Sequence, residues 1–319
     1  MPDNNHLVTS ADILAAREVI GNRLHRTPVV TSSSIGKALG IQLYLKLELF
    51  QKTGSFKPRG VLNKLHHLPP DEKQRGVISL SAGNHAQALA WAATQEGIAS
   101  TLFMPANSVP SKIEATRNYG GTVILTAGNL LEDCLTMQRE QNLTLVHPFD
   151  DPFVIAGQGT VGMEILEDLP DVDVVVVGVG GGGLISGIAT AIKRARPAVK
   201  IVGVEPEGAD AMIRSLEHGA PVHLPRVDTV ADGLAAPFAG HHTLAHVQAF
   251  VDEMVRVSDA EIIAMMGLIM ERTKVMAEPA AASTLAALHA GRVSLPANAN
   301  VLCVLCGGNV DPASLKTFL

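Results

Sequence analysis

Three observations predict an α/β protein built on parallel sheets. Short apolar runs alternate with stretches of helical periodicity, the runs lack polar alternation, and the turn after one of the strongest is a glycine cluster. Runs such as 174–177 and 301–305 suit strands covered on both faces, and helical stretches between them imply βαβ units. With 319 residues, 47% apolar and 18% charged, the chain can bury a sizeable core, and one or two domains are expected. Eight Phe, two Tyr and one Trp are few, so that core must be aliphatic. The net charge of −6 with no basic tract argues against nucleic acid or an anionic membrane as the main partner. Three cysteines cannot form a disulfide framework, and the polar start has no secretory apolar region, so a cytoplasmic protein is expected. The apolar stretch 172–192 is interrupted by glycines and Asp173, which argues against a membrane span.

The elements follow in order. Thr9 and Asp12 form a capping-box pattern ahead of a first helix with Ile13, Ala16 and Ile20 on one face, and Ser258 with Glu261 repeats the pattern near the other end. Strands are predicted at 42–47, 77–80, 100–104, 122–126, 143–147, 172–177, 200–205 and 300–305. The four strand–helix units between about 75 and 148 can form a sheet of their own. The expected division is therefore a small domain at 52–148 and a larger, discontinuous one from 1–51 plus 149–319. A cleft between two such domains favours ligand binding.

Three segments carry chemistry. In Ser55-Phe56-Lys57-Pro58-Arg59-Gly60, Pro58 suits the first turn of a helix and holds Lys57 at the junction before it. A lysine desolvated there becomes nucleophilic, although a surface lysine in a turn satisfies the same spacing. Ser81-Ala82-Gly83-Asn84-His85 follows a strand and opens a helix, a place for either a carboxylate or a plain cap. Gly178-Val-Gly180-Gly181-Gly182-Gly183-Leu184 follows a strand and opens another helix, so its backbone amides can converge on a phosphate. The same turn satisfies a dinucleotide fingerprint, with Glu205 ending the next strand where a ribose-binding acid would sit. Cys303 and Cys306, three apart in a strand, point to opposite faces and make a poor redox or metal pair. His66, His67, His241, His242 and His246 lack neighbouring ligands and are read as solvated loop residues. Asn142-Leu-Thr144 is a glycosylation sequon without meaning in a cytosol.

Ser55-Phe-Lys-Pro-Arg-Gly60 resembles the signature of fold-type II pyridoxal-phosphate (PLP) enzymes, in particular the serine/threonine dehydratase and serine racemase group. The likeness also takes in 81–85, the glycine turn, Glu278-Pro279 and Cys306-Gly-Gly-Asn309, in order along the chain. It implies a tryptophan synthase β-like fold of two parallel-sheet αβα domains, with the cofactor in the cleft between them. It implies that Lys57 binds the cofactor covalently beside Phe56, that Gly180–Gly183 and the Leu184 amide hold its phosphate, and that Cys306 faces its pyridine nitrogen. Ser81, Ala82, Asn84 and His85 would surround the substrate carboxylate, with Asn84 also on the cofactor's phenolic oxygen. Glu278 lies at the family's active-site acid, with salt-bridging or capping as the other roles open to it.

The reaction implied is β-elimination of water from L-threonine, L-serine or a related amino acid, giving a 2-oxo acid and ammonia. Related racemases carry a second serine at the position of Ala82, and alanine transfers no proton, so a serine racemase-type isomerase is the alternative. Dehydratases for 3-hydroxyaspartate or a hydroxyectoine-derived amino acid fit the same motifs. An NAD-dependent dehydrogenase leaves Lys57 without a role, and a catalytically dead PLP-binding regulator leaves its presence unexplained. Glu205 and the Ala209 carbonyl match the Mg²⁺ or Ca²⁺ loop of the racemase branch, but Ala211 stands where that branch has an acid and Asp210 should point elsewhere; without the cation, Glu205 would be a strand-end acid meeting solvent. The chain stops shortly after the last motif, as short catabolic enzymes do, and a homodimer or homotetramer is expected.

Overall fold

The computed structural model describes residues 7–81 and 83–318. Ten strands form two sheets: β1 (Val29–Thr31), β2 (Gln42–Leu47), β3 (Val77–Leu80), β4 (Ser100–Pro105), β5 (Thr122–Thr126), β6 (Thr144–Leu145), β7 (Val174–Gly178), β8 (Lys200–Pro206), β9 (Glu253–Val257) and β10 (Asn300–Leu305). The larger sheet has the order β1-β2-β10-β7-β8-β9 and the smaller β5-β4-β3-β6. Every pairing is parallel except β1 with β2, where Val30 lies opposite Leu45. The parallel α/β class read from the unalternating apolar runs is thus the observed one.

Two strands escaped the sequence reading, and both are edges. β1 has three residues, and β9 (Glu-Met-Val-Arg-Val) interleaves charged side chains on an edge with one neighbour. The stretch expected at 143–147 pairs only through Thr144 and Leu145.

Both predicted capping boxes form. Thr9 and Asp12 close the start of the helix Ser10–Ile20, and Ser258 and Glu261 that of Asp259–Thr273. The large-sheet core is aliphatic, with Val175, Val176, Val177, Ile201, Leu45 and Leu305 fully buried. Each such side chain contributes about 1.5–3 kcal/mol of transfer free energy. A second core joins the small sheet to the helices Pro58–His66 and Asn84–Glu96 through Val61, Leu65, Val77, Leu89 and Leu102.

The helix Pro58–His66 lies against Pro152–Asp168 with almost no gap. A Cβ at Gly60 would sit 2.7 Å from the Val154 carbonyl, and one at Gly157 would be 2.6 Å from the Gly60 Cα. Glycine at both positions lets the two backbones touch, and this contact sets the height at which residue 57 enters the site.

The histidine expectation needs correction. His241, His242 and His246 lie on the helix His241–Phe250, and His246 is fully buried. Its Nε2 accepts the Val8 amide at 2.9 Å while Nδ1 meets the His242 carbonyl at 2.6 Å, so it is a neutral packing residue. His66 ends the helix Pro58–His66, and His67, just beyond it, stacks on Phe153 with centroids 4.5 Å apart.

Candidate active site

Lys57 is the N-cap of the helix Pro58–His66. The segment before it runs extended beside the end of β10: Ser55 bridges Gly307, the Phe56 amide donates to the Cys306 carbonyl at 3.1 Å, and the Gly308 amide donates to the Gly54 carbonyl at 3.0 Å. These bonds bring the lysine beside Cys306 and Glu278, 249 and 221 positions away in the chain. The Lys57 ammonium donates to the Pro148 carbonyl at 2.8 Å and lies 5.1 Å from the Phe56 ring centroid. Burial lowers its pKa to about 8, against the opposing pull of Cys306 and Glu278. A neutral, nucleophilic amine is therefore accessible close to neutral pH.

The other titratable groups are also driven toward neutrality. Burial lifts Glu278 to about 7, with Asp232 adding repulsion and the Asn84 hydrogen bonds opposing the rise. Burial holds the Cys306 thiol well above its ordinary range. His85 falls to about 3, through burial first and the Lys57 charge second.

The glycine turn joins β7 to the helix Gly183–Ala195, and Gly182 takes a positive φ of 89° as its N-cap. The first bond of that helix runs from the Ser186 amide to the Gly182 carbonyl at 3.0 Å, leaving the amides just before it without helical acceptors. A Cβ at Gly180 would sit 3.0 Å from the Leu234 backbone, and one at Gly183 3.0 Å from Phe149. One at Gly181 would overlap the Phe149 ring. A tight, glycine-only turn with free amides at a helix start fits a phosphate monoester. Among the described residues, the buried hydroxyls of Thr53 and Ser55, in the lysine segment, have no hydrogen-bond partner and suit a ligand.

The asparagine loop opens the helix Asn84–Glu96, whose first bond runs from the Gln87 amide to the Gly83 carbonyl. Ser81 Oγ accepts the Gly83 amide at 3.2 Å, shaping the loop. Asn84 does not stand free: its Nδ2 donates to both Glu278 oxygens, at 2.8 and 3.1 Å, and its Oδ1 accepts from Asn309 at 2.8 Å. Asn309 also donates to the Thr53 carbonyl at 2.8 Å, tying the lysine segment to this network. Among the described residues Glu278 is thus neither a side-chain cap nor half of an ion pair; it accepts from Asn84. His85 is buried. Its ring faces Ser79 Oγ at 3.0 Å and the Val146 carbonyl at 3.2 Å, so toward a carboxylate it offers its backbone amide. Ala82 lies outside the described residues.

Sequence reasoning missed Asn309 as a working residue, although it closes a quoted motif. It also missed Phe149 and the Pro148 carbonyl, which carry no local signal.

The cation loop does not fit a cation. Both Glu205 oxygens accept backbone amides, Met212 at 2.8 Å and Ile213 at 2.9 Å, and the residue is buried instead of meeting solvent. Asp210 is paired with Arg214 at 2.7 Å and Arg256 at 2.9 Å, and Ala211 supplies no ligand. Among the described residues no three His, Cys, Asp or Glu side chains gather as a metal site.

Comparison with known proteins agrees with this geometry. The model of the pyridoxal-phosphate dependent enzymes matches residues 21–307. The chain is 46% identical to an L-threonine ammonia-lyase of Thermotoga maritima, covering 96% of this chain and 76% of that one. It is 42% identical to a catabolic L-threonine dehydratase of Staphylococcus aureus, covering 96% of this chain and 90% of the other. Among solved structures, maize serine racemase superposes with a TM-score of 0.93 at 37% identity, covering 98% and 97% of the two chains. With the family model spanning the lysine, both loops and Cys306, the chain belongs to the pyridoxal-phosphate dependent enzymes.

Proposed function

We propose that the protein is a PLP-dependent ammonia-lyase that eliminates water from L-threonine, L-serine or a related hydroxy amino acid, releasing a 2-oxo acid and ammonia. The observation that carries this reading is the Lys57 amine, desolvated beside Glu278 and Cys306 and hydrogen-bonded to the Pro148 carbonyl, in a chain 46% identical to an L-threonine ammonia-lyase. Residues 52–148 would form the substrate lobe, and 1–51 with 149–319 the lobe that holds the cofactor's phosphate.

Each residue then has a task. Lys57 anchors the cofactor and takes the substrate's α-proton as general base. The amides of Gly180–Gly183 and Leu184 would hold the phosphate, and the neutral Cys306 thiol would meet the ring nitrogen. Phe56 lines the lysine's approach. The hydroxyl of Ser81 and the amides that open the helix Asn84–Glu96 receive the carboxylate. Bound pyridoxal phosphate supplies an electron sink that acidifies the α-carbon.

Ala82 stands where related racemases carry a serine and has no proton to transfer, which favours elimination over racemisation, even though maize serine racemase is a close structural neighbour. The three free thiols, all buried, support a cytoplasmic location. Among the described residues no helix is long and apolar enough to cross a membrane. The exposed Phe50 and Met276 support a homodimer or homotetramer, which light scattering would measure.

The test is a substrate panel of L-threonine, L-serine and 3-hydroxyaspartate, followed by 2-oxo acid, ammonia and D-amino acid. Release of 2-oxobutyrate from L-threonine supports the reading. Accumulation of D-serine as the main product from L-serine assigns the isomerase instead.

A further inference from the structure

Arg59 is part of the lysine segment, yet neither cofactor binding nor proton transfer gives it a task. It is 1% exposed, and its whole guanidinium is engaged. Nε and Nη2 donate to the two oxygens of Glu48 at 2.9 and 2.8 Å. Nη1 and Nη2 donate to the two oxygens of Glu164 at 2.6 and 3.0 Å, and Nη1 also reaches Thr160 Oγ1 at 3.1 Å. Glu48 is fully buried at the end of β2, and Glu164 lies on the helix Pro152–Asp168. Lys46 extends the cluster, 2.7 Å from Glu164 and 2.6 Å from the Thr27 carbonyl.

This double fork sits two residues beyond Lys57. Pro58 between them has no N–H, and at the junction the Arg59 amide donates to the Phe56 carbonyl at 3.1 Å and the Val61 amide to the Lys57 carbonyl at 3.3 Å. The side chain of Arg59 therefore ties the lysine-bearing turn to the large sheet and to the neighbouring helix at once. Gly60 lets that helix come into backbone contact, so the clamp and the close approach act together.

We propose that Arg59 is the positioning residue for Lys57: its guanidinium, gripped by Glu48 and Glu164, fixes the first turn of the helix Pro58–His66 and thereby the place of the Lys57 amine in the cleft. The inference rests on the reading of Lys57 as the cofactor-binding base. A lysine at 59 would keep the charge but cannot grip two carboxylates in bidentate fashion. The ligands would stay paired while the turn gained freedom.

The experiment compares R59K and E164Q with wild type, all loaded with cofactor. Four quantities are measured: kcat and KM for L-threonine, the pH midpoint of the visible absorption band, and Tm. A displacement of the amine by a fraction of an ångström to 1 Å predicts a fall in kcat of about a hundredfold in R59K. KM should stay within about threefold, because the carboxylate and phosphate subsites are untouched. The band midpoint should shift, since it reports the surroundings of Lys57 directly; E164Q should move kcat and midpoint the same way, by less. A purely structural cluster predicts instead a lower Tm with unchanged kcat and midpoint, and that result overturns the proposal. If R59K does not fold, an E164Q protein with wild-type kcat and midpoint overturns it equally. A wild type that releases no 2-oxo acid from L-threonine, L-serine or 3-hydroxyaspartate, with the midpoint shift still present in R59K, refutes the lyase reading and leaves the positioning role standing.

Discussion

The substitution Gly181→Ala isolates the glycine turn from the rest of the site. An added Cβ there would meet three ring carbons of Phe149 roughly 1 Å inside ordinary carbon–carbon contact. The ring cannot swing aside, because it is held edge-on by His147 at 4.6 Å between centroids and by Phe238 at 5.5 Å, and its own Cβ packs on Gly183. The turn must move instead, and the amides that converge on the phosphate move with it. Overpacking of this kind costs about 1–3 kcal/mol, which at 1.4 kcal/mol per tenfold is about 5- to 150-fold weaker cofactor binding. Titrating the apoprotein with pyridoxal phosphate and following the visible band measures this directly. Phe149→Ala costs core stability but removes the obstacle, so the double variant should bind within about threefold of Phe149→Ala alone, the signature of a coupled pair. A Gly181→Ala protein that binds as wild type, or a double variant that combines both losses additively, refutes the phosphate cradle.

Cofactor loading needs the neutral Lys57 amine, whose pKa is lowered to about 8; the loading rate should rise about tenfold from pH 6 to 7 and level off above pH 8, measured by stopped-flow absorbance. Glu278, raised from 4.5 to about 7 in the fold, disfavours the folded apoprotein increasingly as pH climbs from 4.5 to 7. Glu278→Gln should therefore match wild type at pH 4 and gain up to about 3 kcal/mol in urea unfolding at pH 8. With both Glu205 oxygens taken by backbone amides, activity and Tm after EDTA dialysis should equal those in Mg²⁺; a rise of several degrees on adding Mg²⁺ refutes that. Arg256→Ala leaves Asp210 with Arg214 alone and should lower Tm by a few degrees with cofactor affinity retained.

The legible parts of the fold were those with local causes. Val174 to Val177 announce a doubly covered strand, and Thr9 with Asp12 announces a helix start, because the apolar run and the cap are written within a few residues. β1 and β9 were invisible for the complementary reason: as edges they are short or polar, and only the neighbour that they pair with makes them strands. In the site, Lys57 and the glycine turn were readable from motifs. The destination of His85 was not, since its ring is drawn under the loop by Ser79 and the Val146 carbonyl, neither of which signals histidine binding. Glu205 misled for a similar reason. An acid ending a strand reads as a ligand or a solvated group, and what employs it is the start of the helix Ala211–His218, a partner chosen by the tertiary fold.

The pattern of charge in the cleft bears on which reaction is run there. Lys57 is brought down to about 8, Glu278 up to about 7, His85 down to about 3, and Cys306 is held in its thiol form. Burial is the leading cause in every case, so the floor of the site favours uncharged forms throughout. Anionic groups of a ligand would then meet the backbone amides at two helix starts, at Gly183 and at Asn84, with the Lys112 ammonium near Gly83 beside the second. Amide dipoles do not titrate and hold no proton to donate. Among these four groups only Lys57 and Glu278 change protonation near neutrality, and Glu278 is tied to Asn84. A single mobile base on one face of the α-carbon suffices to remove a proton and expel a β-hydroxyl, whereas inversion needs a second donor on the opposite face. Ala82→Ser, which restores the hydroxyl that related racemases carry at this position, should raise the D-serine to pyruvate ratio from L-serine; an unchanged ratio would mean that something other than a missing proton donor limits racemisation.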